Sequence, residues 1–406
     1  MDIQNEIYAK ALYIEEPMYV ERVEYDEKQE EMHIYLGTRR GAKFTCSECG
    51  KAGCTAHGKA ERTWRCIDFF GHKAFIHFNN PRVDCPECGV HVLVPGWTRK
   101  YSSFTLLFEA YVIEMARHMP ISAIANITKE QDTRLWRIIG AHVGKAYKEK
   151  DMSRVTKVGF DETSSKKGHN YVTCAYDLER GDVLFATPGR GAENIDKFIQ
   201  ELEKHNGDAD KISDVAIDMG RAFIAGVREF LPKAEITFDK FHVVAQANKA
   251  VDQVRRAETK KNPLLKGSRY VWLKNPENLT EKQKQDLKTL SKENKELARA
   301  YQEKQTLQDI YRYVKDRPTA EIAFEKFCSW AKRSRLAPMK RLAKTIETHW
   351  EGILRYFESG ITSGVCEGIN NKIQLIKKRS RGFRNVANFI MMIYLEGSHL
   401  RLPAWS

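Results

Sequence analysis

The stretch that decides the fold reads Val155-Thr-Lys-Val-Gly-Phe-Asp-Glu-Thr-Ser164, in which an apolar run with strand character ends at Asp161. A second run, Val215-Ala-Ile-Asp-Met-Gly-Arg221, ends in the same way at Asp218. Carboxylates at the ends of buried strands can converge from distant points in the sequence, and oxygen ligands of this kind suit Mg²⁺ or Mn²⁺. We therefore expect Asp161 and Asp218 to face one another at one edge of a sheet.

The strand and helix patterns around these two runs follow a definite order. Three strand patterns joined by short turns extend from Val155 to Ala186, and helix and strand patterns then alternate as far as Asp239. This order describes the ribonuclease-H-like sheet, in which the first strand lies beside the fourth. The sequence therefore predicts an α/β ribonuclease-H-like catalytic domain.

A third acidic residue, Glu367, stands alone in a basic stretch. Read as a helix, this segment forms an apolar stripe from Cys366 to Ile376 and places Glu367 on the other side. No acidic residue occurs between 368 and 384, so this isolated carboxylate needs a cationic partner. A pair of divalent cations acting on a phosphodiester needs three converging carboxylates, and Asp161, Asp218 and Glu367 are the candidates.

The overall charge favours a polyanionic partner. Lys and Arg number 67 against 54 Asp and Glu, which gives a formal charge of +13. A hydrophobic content of 42% over 406 residues excludes a disordered chain and allows several domains. No secretory signal is visible, and the apolar run 389–395 is too short to span a bilayer. We therefore expect a cytoplasmic protein without a membrane partner, whose nine cysteines are metal ligands or core residues.

Two CxxCG units, residues 46–50 and 85–89, predict a structural zinc site. Each unit can form a tight turn in which glycine accepts a positive φ and backbone amides point at sulfur. A hairpin between the units would bring together the four predicted ligands, Cys46, Cys49, Cys85 and Cys88. A smaller site formed by Cys46 and Cys49 with Cys54 and His57 remains an alternative. The remaining cysteines are expected in the core.

A helical block follows the cysteines. A short helix at 121–127, a turn at which Thr128 could cap the next helix, and a longer basic helix at 130–147 form the pattern of a helix-turn-helix DNA reader. An ordinary helical hairpin is the alternative. Basic side chains here and around Glu367 are the predicted DNA contacts: Arg134, Arg137, Lys372, Lys377, Lys378, Arg379, Arg381 and Arg384.

Six parts follow from these patterns. They are an N-terminal β-hairpin region (1–43), a zinc-binding module (44–98), a helix-turn-helix domain (99–150), the first part of the catalytic core (151–256), an α-helical insertion (257–355) and the C-terminal part of the core with the glutamate (356–406).

Four motifs give the chain a resemblance to the DDE transposases of bacterial insertion sequences. They are Gly159-Phe-Asp-Glu-Thr-Ser164, Ala216-Ile-Asp-Met219, Phe238-Asp-Lys-Phe-His-Val243 and Ser363-Gly-Val-Cys-Glu-Gly-Ile-Asn-Asn-Lys372. Among these transposases the chain most resembles the ISL3 family, whose members carry a zinc-binding module, a helix-turn-helix and a ribonuclease-H-like domain. The resemblance covers nearly the whole chain from about Phe44.

The resemblance implies that Asp161, Asp218 and Glu367 form the catalytic triad. It also implies two Mg²⁺ or Mn²⁺ ions, cleavage at terminal inverted repeats, strand transfer into target DNA and a homodimer when two ends are synapsed. Asp239 and His242 match a family motif without a settled role. The alternatives are a non-catalytic site-specific DNA-binding regulator on a ribonuclease-H-like scaffold and a nuclease that cuts without joining.

Overall fold

The computed structural model describes residues 3–166, 170–361 and 364–403, which form two compact units. The first unit contains the described residues up to Lys148, together with 379–381 and those from Leu400. The second contains the described residues of 149–378 and 382–399. Ser363, which opens the fourth motif, lies outside the described residues. In the described ranges, none of the helices combines the length and the apolar character that crossing a lipid bilayer requires.

The first unit joins a five-stranded sheet to three consecutive helices. Its elements are α1 (Ile3–Ala11), β1 (Met18–Asp26), β2 (Glu31–Thr38), β3 (Thr55–Phe69), β4 (His72–Cys85), β5 (Gly89–Val92), α2 (Leu106–His118), α3 (Ile121–Thr128) and α4 (Asp132–Lys148). The strand order is β1-β2-β4-β3, and β5 pairs with β4. The hairpins predicted on each side of the first CxxCG unit are confirmed as β1–β2 and β3–β4, both antiparallel.

Alternation along the strands gives this sheet one buried face. Ile34 and Ile76 are fully buried on β2 and β4, and Trp64 of β3 is 2% exposed. Trp64 packs edge-on against Trp97, with ring centroids 4.9 Å apart. Because successive strand residues point to opposite faces, this period-two pattern fixes which face carries the core.

Arg65 connects the sheet to the helices of this unit. Its backbone N–H donates to the carbonyl of Ser103 at 2.8 Å, and its own carbonyl accepts from the N–H of Thr105 at 3.0 Å. Its guanidinium is buried, pairs with Asp68 and lies 3.6 Å from a carboxylate oxygen of Glu130. A buried arginine is stable only when it is paired in this way, so the strand and the segment before α4 are held together.

The helices from 106 to 148 follow the predicted pattern. Leu135, Ile138, Ile139 and Val143 are buried on one face of α4, which confirms its periodicity. The predicted role of Thr128 is wrong. Thr128 is the last residue of α3, and its hydroxyl donates back to the carbonyl of Ile124 at 2.8 Å. The turn begins at Lys129, whose left-handed backbone (φ 53°) ends α3.

The second unit contains a five-stranded sheet followed by a long run of helices. Its elements are β6 (Lys157–Lys166), β7 (Asn170–Asp177), β8 (Asp182–Pro188), α5 (Glu193–Lys204), β9 (Asp214–Ile217), α6 (Arg221–Phe230), β10 (Glu235–Phe238), α7 (Lys240–Thr259), α8 (Arg269–Leu273), α9 (Glu281–Glu293), α10 (Lys295–Tyr313), α11 (Arg317–Arg333), α12 (Ala337–Thr348), α13 (Trp350–Leu354), α14 (Tyr356–Ser359), α15 (Gly364–Arg379) and α16 (Val386–Gly397).

The strand order in the second sheet is β10-β9-β6-β7-β8. β6, β9 and β10 are parallel to one another, whereas β7 is antiparallel to both of its neighbours. The predicted neighbourhood of the first and fourth strands of this region is therefore confirmed. The sequence predicted that Asp161 stands at the end of its strand, and this prediction is wrong. Asp161 lies inside β6, because the antiparallel hairpin with β7 continues to Lys166 after the parallel pairing with β9 has ended at Gly159.

α15 carries the buried apolar stripe that the sequence predicted, and Cys366 of this stripe packs on β6. Cys366, Ile369, Ile373 and Ile376 are all buried. The sulfur of Cys366 comes so close to Gly159 that a Cβ added there would lie 2.6 Å from it. A side chain of any size at position 159 would therefore push the helix away from the strand.

Gly159→Ala should lower the thermal unfolding temperature, because the new methyl overlaps Cys366 Sγ and lies 2.8 Å from a methyl of Leu178. We expect a loss of about 1–3 kcal/mol, as for other overpacked sites. Chemical denaturation would measure it. In a double-mutant cycle, Cys366→Ala should restore part of the loss, whereas simple additivity of the two changes would contradict this contact.

Candidate functional site

Four cysteines of the first unit form one cluster. The sulfurs of Cys46, Cys49, Cys85 and Cys88 all lie within 4.8 Å of one another. Those of Cys49 and Cys85 are 3.6 Å apart. The edge of a tetrahedron with Zn–S bonds of about 2.3 Å is roughly 3.8 Å, so this spacing suits zinc. The predicted grouping of the two CxxCG units is confirmed.

The turns that carry these sulfurs are built as the sequence predicted. Gly50 and Gly89 have φ angles of 77° and 78°, in the left-handed region that glycine adopts without strain. The backbone N–H groups of Glu87 and Cys88 donate to the sulfur of Cys85 and lower the pKa of its thiol to about 6. The effect differs within the cluster, because a hydrogen bond shared with Cys49 raises the pKa of the Cys88 thiol to about 12. The support for zinc is therefore the spacing of the four sulfurs.

The alternative zinc site finds no support in this geometry. Cys54 is buried close to the cluster, but its sulfur donates to the carbonyl of Lys51 at 3.4 Å. His57 is exposed on β3. The cysteines that were expected in the core, Cys66, Cys174, Cys328 and Cys366, are all buried.

In the second unit, the strand register places three aspartates at one edge of the sheet. Gly159 pairs with Ala216, and Ala216 pairs with Thr237. Two residues beyond each of these positions stand Asp161, Asp218 and Asp239. Because β6, β9 and β10 are parallel, these residues come at the same level along three adjacent chains.

Asp161 is half-buried beside other acidic groups. One of its oxygens accepts the N–H of Glu162 at 2.7 Å, and the other accepts the side-chain amide of Asn370. Burial raises the pKa of Asp161, and the charge of Asp218 raises it further, although these hydrogen bonds and the nearby His242 oppose the change. Asp218 accepts the N–H of Gly220 at 2.8 Å.

Asp239 and His242, the motif residues without a settled role, lie at the start of α7. Asp239 is the N-cap of this helix and accepts the N–H of Phe241 at 2.8 Å. His242 Nε2 lies 3.9 Å from a carboxylate oxygen of Asp239. Asp239 therefore has at least a capping role, which stabilises the start of the helix next to the aspartate edge.

Glu367 lies in the first turn of α15, and its residue is exposed. The helix runs in the same direction as β6, because Cys366 lies at Gly159 and Asn370 at Asp161. Beyond Asn370, Gln374 donates to Thr163 Oγ1, and Lys377 donates to Ser164 Oγ, both at 3.2 Å. Glu367 is thus one turn before the residue that contacts Asp161.

The carboxylates are grouped less tightly than the cysteines. Among the residues that the structure describes, the four cysteines bring their donor atoms within 4.8 Å of one another, and Asp161, Asp218 and Glu367 do not form such a cluster. Burial also raises the pKa of Glu162, and Asp218 and Asp161 add to that effect. Arg190 opposes the shift at Glu162, and His242 opposes the one at Asp161. A divalent cation would lower both pKa values further, so this group of acids fits such an ion. The ligand set itself stays a prediction.

The predicted DNA contacts of the helix-turn-helix differ in their surroundings. Arg134 pairs with Glu130, donates to Ser103 Oγ at 2.9 Å and lies 4.4 Å above the ring of Phe104. Arg137 is exposed on the same helix. Arg134 thus has a structural task within the unit, whereas Arg137 is exposed and stays a predicted DNA contact.

The predicted contacts around α15 divide in the same way. Lys377 bonds to Ser164, and Arg379 donates to the backbone carbonyls of Ala116 and Arg117. The exposed members of the set are Lys372, Lys378, Arg381 and Arg384.

Two residues near Asp161 were not predicted as site residues. Asn370 contacts Asp161, and the hydroxyl of Tyr176 donates to Asn370 Oδ1 at 2.8 Å. Asn370 follows Glu367 by three positions, which is the spacing of neighbours on a helix surface. That spacing was a usable signal for Asn370, but no local pattern marks Tyr176.

The zinc site can be tested with a fifth cysteine as the control. The purified chain should contain about one zinc ion, as expected for four thiolate ligands. Cys85→Ser should lose the metal and destabilise the first unit, whereas Cys54→Ser should keep it, because Cys54 bonds to a backbone carbonyl. Metal content by mass spectrometry and thermal unfolding with and without chelator would measure both effects. Zinc loss in Cys54→Ser alone would favour the mixed site.

Comparison with known proteins gives three family matches along the chain. A model of the ISL3 DDE domain, described as "Transposase", matches residues 158–393, more than half of the chain. The "Helix-turn-helix domain of transposase family ISL3" matches residues 92–143. The "zinc-finger of transposase IS204/IS1001/IS1096/IS1165" matches residues 42–88. These matches and the four-cysteine cluster support a structural zinc ion, and the DDE family implies a divalent metal such as Mg²⁺.

Individual relatives agree with the family matches. The chain is 29% identical to the transposase for insertion sequence element IS1557 of Mycobacterium tuberculosis, over 88% of this chain and 87% of that protein. It is also 29% identical to the transposase for IS1001 of Bordetella parapertussis, over 92% of this chain and 94% of that protein. The chain therefore belongs to the ISL3 family of DDE transposases, and it is a DNA-binding enzyme that cleaves DNA and transfers the strands.

Proposed function

We propose that Asp161, Asp218 and Glu367 are the catalytic residues, and that together they bind the divalent cations of the reaction. The observation that carries this proposal is the parallel register of β6 and β9, which sets the two aspartates side by side. The hydrogen bond from Asn370 to Asp161 adds the helix that carries Glu367. The reaction would cut at the terminal inverted repeats of an insertion sequence and join the ends to target DNA.

We further infer that the catalytic domain has a ribonuclease-H-like fold with an α-helical insertion. The support is the strand order β10-β9-β6-β7-β8, with the second strand of the region antiparallel to its neighbours. α8 to α13 lie between the last strand and the helix of Glu367, in the place expected for an insertion.

When bound, Mg²⁺ or Mn²⁺ would activate the attacking hydroxyl and stabilise negative charge on the phosphate. The chain itself would hold these ions through the oxygens of Asp161, Asp218 and Glu367. The oxygen donor set suits such hard cations better than zinc. The exposure of Glu367 leaves its carboxylate accessible to DNA and metal from solution.

Recognition of the transposon ends is assigned to the helix-turn-helix, with α4 as the reading helix. Exposed basic residues of α15 and the loop after it, such as Lys372 and Arg384, are proposed phosphate contacts. Joining requires two ends at once, which supports a homodimer in the synaptic complex, acting on DNA in the bacterial nucleoid.

Asp161→Asn and Glu367→Gln should each abolish metal-dependent cleavage of end DNA. Binding to that DNA, measured by electrophoretic mobility shift, should persist. In chelator, the pH dependence of stability should also change. A carboxyl group whose pKa is raised on folding destabilises the folded state once the pH exceeds its unfolded pKa, and the penalty is complete above the folded pKa. Asp161→Asn loses one of the two hydrogen bonds that the carboxylate accepts, but its stability relative to the natural chain should rise with pH through this window.

Cleavage of a labelled transposon end and thermal scans from acid to neutral pH would measure these outcomes. Glu358→Gln, which alters an exposed carboxylate of α14 paired with Arg317 and Arg355, is the matched control and should cleave normally. Cleavage retained by Asp161→Asn would refute the catalytic assignment.

Arg137→Ala should weaken binding of end DNA and reduce the slope of log affinity against log salt by about 1, as for loss of one phosphate contact. Arg134→Ala should instead lower the stability of the first unit, because its guanidinium bonds to Glu130 and Ser103. Fluorescence anisotropy at several salt concentrations, with unfolding curves, would separate the two effects. An unchanged salt slope for Arg137→Ala would remove it from the interface.

A further inference from the structure

We propose that Asn370 is a positioning residue that holds the Asp161 carboxylate in one orientation, and that Tyr176 holds Asn370. This inference rests on the proposed function, in which Asp161 binds a divalent cation. It adds two residues to the site that do not themselves touch the metal or the DNA.

Two consecutive hydrogen bonds connect Tyr176, Asn370 and Asp161. The hydroxyl of Tyr176 donates to Asn370 Oδ1 at 2.8 Å, and Asn370 Nδ2 donates to Asp161 Oδ2. These two bonds connect β7, α15 and β6. Tyr176 and Asn370 are 194 positions apart in the sequence. Tyr176 is fully buried, and Asn370 is half-buried.

The direction of both bonds is fixed by chemistry. A carboxylate can only accept hydrogen bonds, so the amide must turn its nitrogen to Asp161. Its oxygen then faces Tyr176, where the hydroxyl can donate to it. Burial raises the pKa of Tyr176 well above its usual value, so this hydroxyl keeps its proton. The buried tyrosine therefore selects one of the two flips of the amide.

A consequence for Asp161 follows from its two oxygens. Oδ1 accepts the backbone N–H of Glu162, and Oδ2 accepts the amide of Asn370, so rotation of the carboxylate would break one bond or both. Each oxygen keeps further lone-pair capacity for a cation. Fixed ligands bind a metal more tightly than mobile ones, and loss of such supporting bonds typically weakens metal affinity or activity about 10–100-fold.

The same helix supplies a matched control. Gln374 lies one turn beyond Asn370 and donates to Thr163 Oγ1 at 3.2 Å. It therefore joins α15 to β6 without touching Asp161. If Asn370 served only to attach the helix, Gln374→Ala and Asn370→Ala should have similar effects.

The experiment compares Asn370→Ala, Tyr176→Phe and Gln374→Ala in the full chain. Mn²⁺ is titrated into each protein without DNA, and binding is followed by electron paramagnetic resonance. Single-turnover cleavage is then measured against Mn²⁺ concentration, and thermal unfolding reports on folding. Asn370→Ala should weaken Mn²⁺ binding about 10–100-fold and raise the Mn²⁺ concentration for half-maximal cleavage to match.

Tyr176→Phe should give a smaller loss in the same direction, because the amide can still donate but is no longer held in one flip. Gln374→Ala should bind Mn²⁺ as the natural chain does. Natural Mn²⁺ affinity in Asn370→Ala, or an equal loss in Gln374→Ala, would overturn the inference. If Asn370→Ala fails to fold, Tyr176→Phe decides on its own, since the phenylalanine ring keeps the packing and removes only the hydroxyl.

The Asp161→Asn variant distinguishes failure of this inference from failure of the proposed function. If Asp161→Asn still binds Mn²⁺ and cleaves, the proposed function fails. If Asp161→Asn loses both but Asn370→Ala loses neither, Asp161 is a ligand, and only the role of Asn370 is wrong.

Discussion

The main constraint on the second unit is the repulsion between acidic groups that its sheet brings together. Parallel pairing of β6 with β9 sets Asp161 and Asp218 at one level, and their partial burial makes the negative charge costly. Backbone amides of Glu162 and Gly220 offset part of that cost. The positive charges of His242 and Arg190 also oppose it. A divalent cation would remove this repulsion when it binds, so the relief of repulsion would add to the free energy of cation binding.

The attachment of α15 sets the remaining part of the site. Its three isoleucines are buried, and the close approach of Cys366 to Gly159 fixes how deep the helix sits. Polar contacts at Asp161, Thr163 and Ser164 then fix its position along β6. Glu367 comes from a segment far beyond Asp218 in the sequence, and these contacts bring its helix to the sheet.

Much of this architecture could be predicted from local patterns. Alternation and helical periodicity identified β6, β9 and the buried stripe of α15, and the two CxxCG units identified the thiol cluster. Two details could not be found in this way. The end of β6 depends on how long β7 continues to pair with it, which is a property of the hairpin and not of the apolar run before Asp161. The bond from Tyr176 to Asn370 joins positions that only the packed fold brings together.

The buried guanidinium of Arg65 has a consequence for the DNA that the first unit can bind. Its contacts to Asp68 and Glu130, and the backbone bonds beside it, tie the long β3–β4 hairpin to the segment that leads into α4. The β3–β4 hairpin and α4 therefore keep a constant separation. With α4 as the proposed reading helix, any DNA contact of the hairpin would lie at a fixed distance from the bases that α4 reads, so inserted or deleted base pairs between the two stretches should weaken binding.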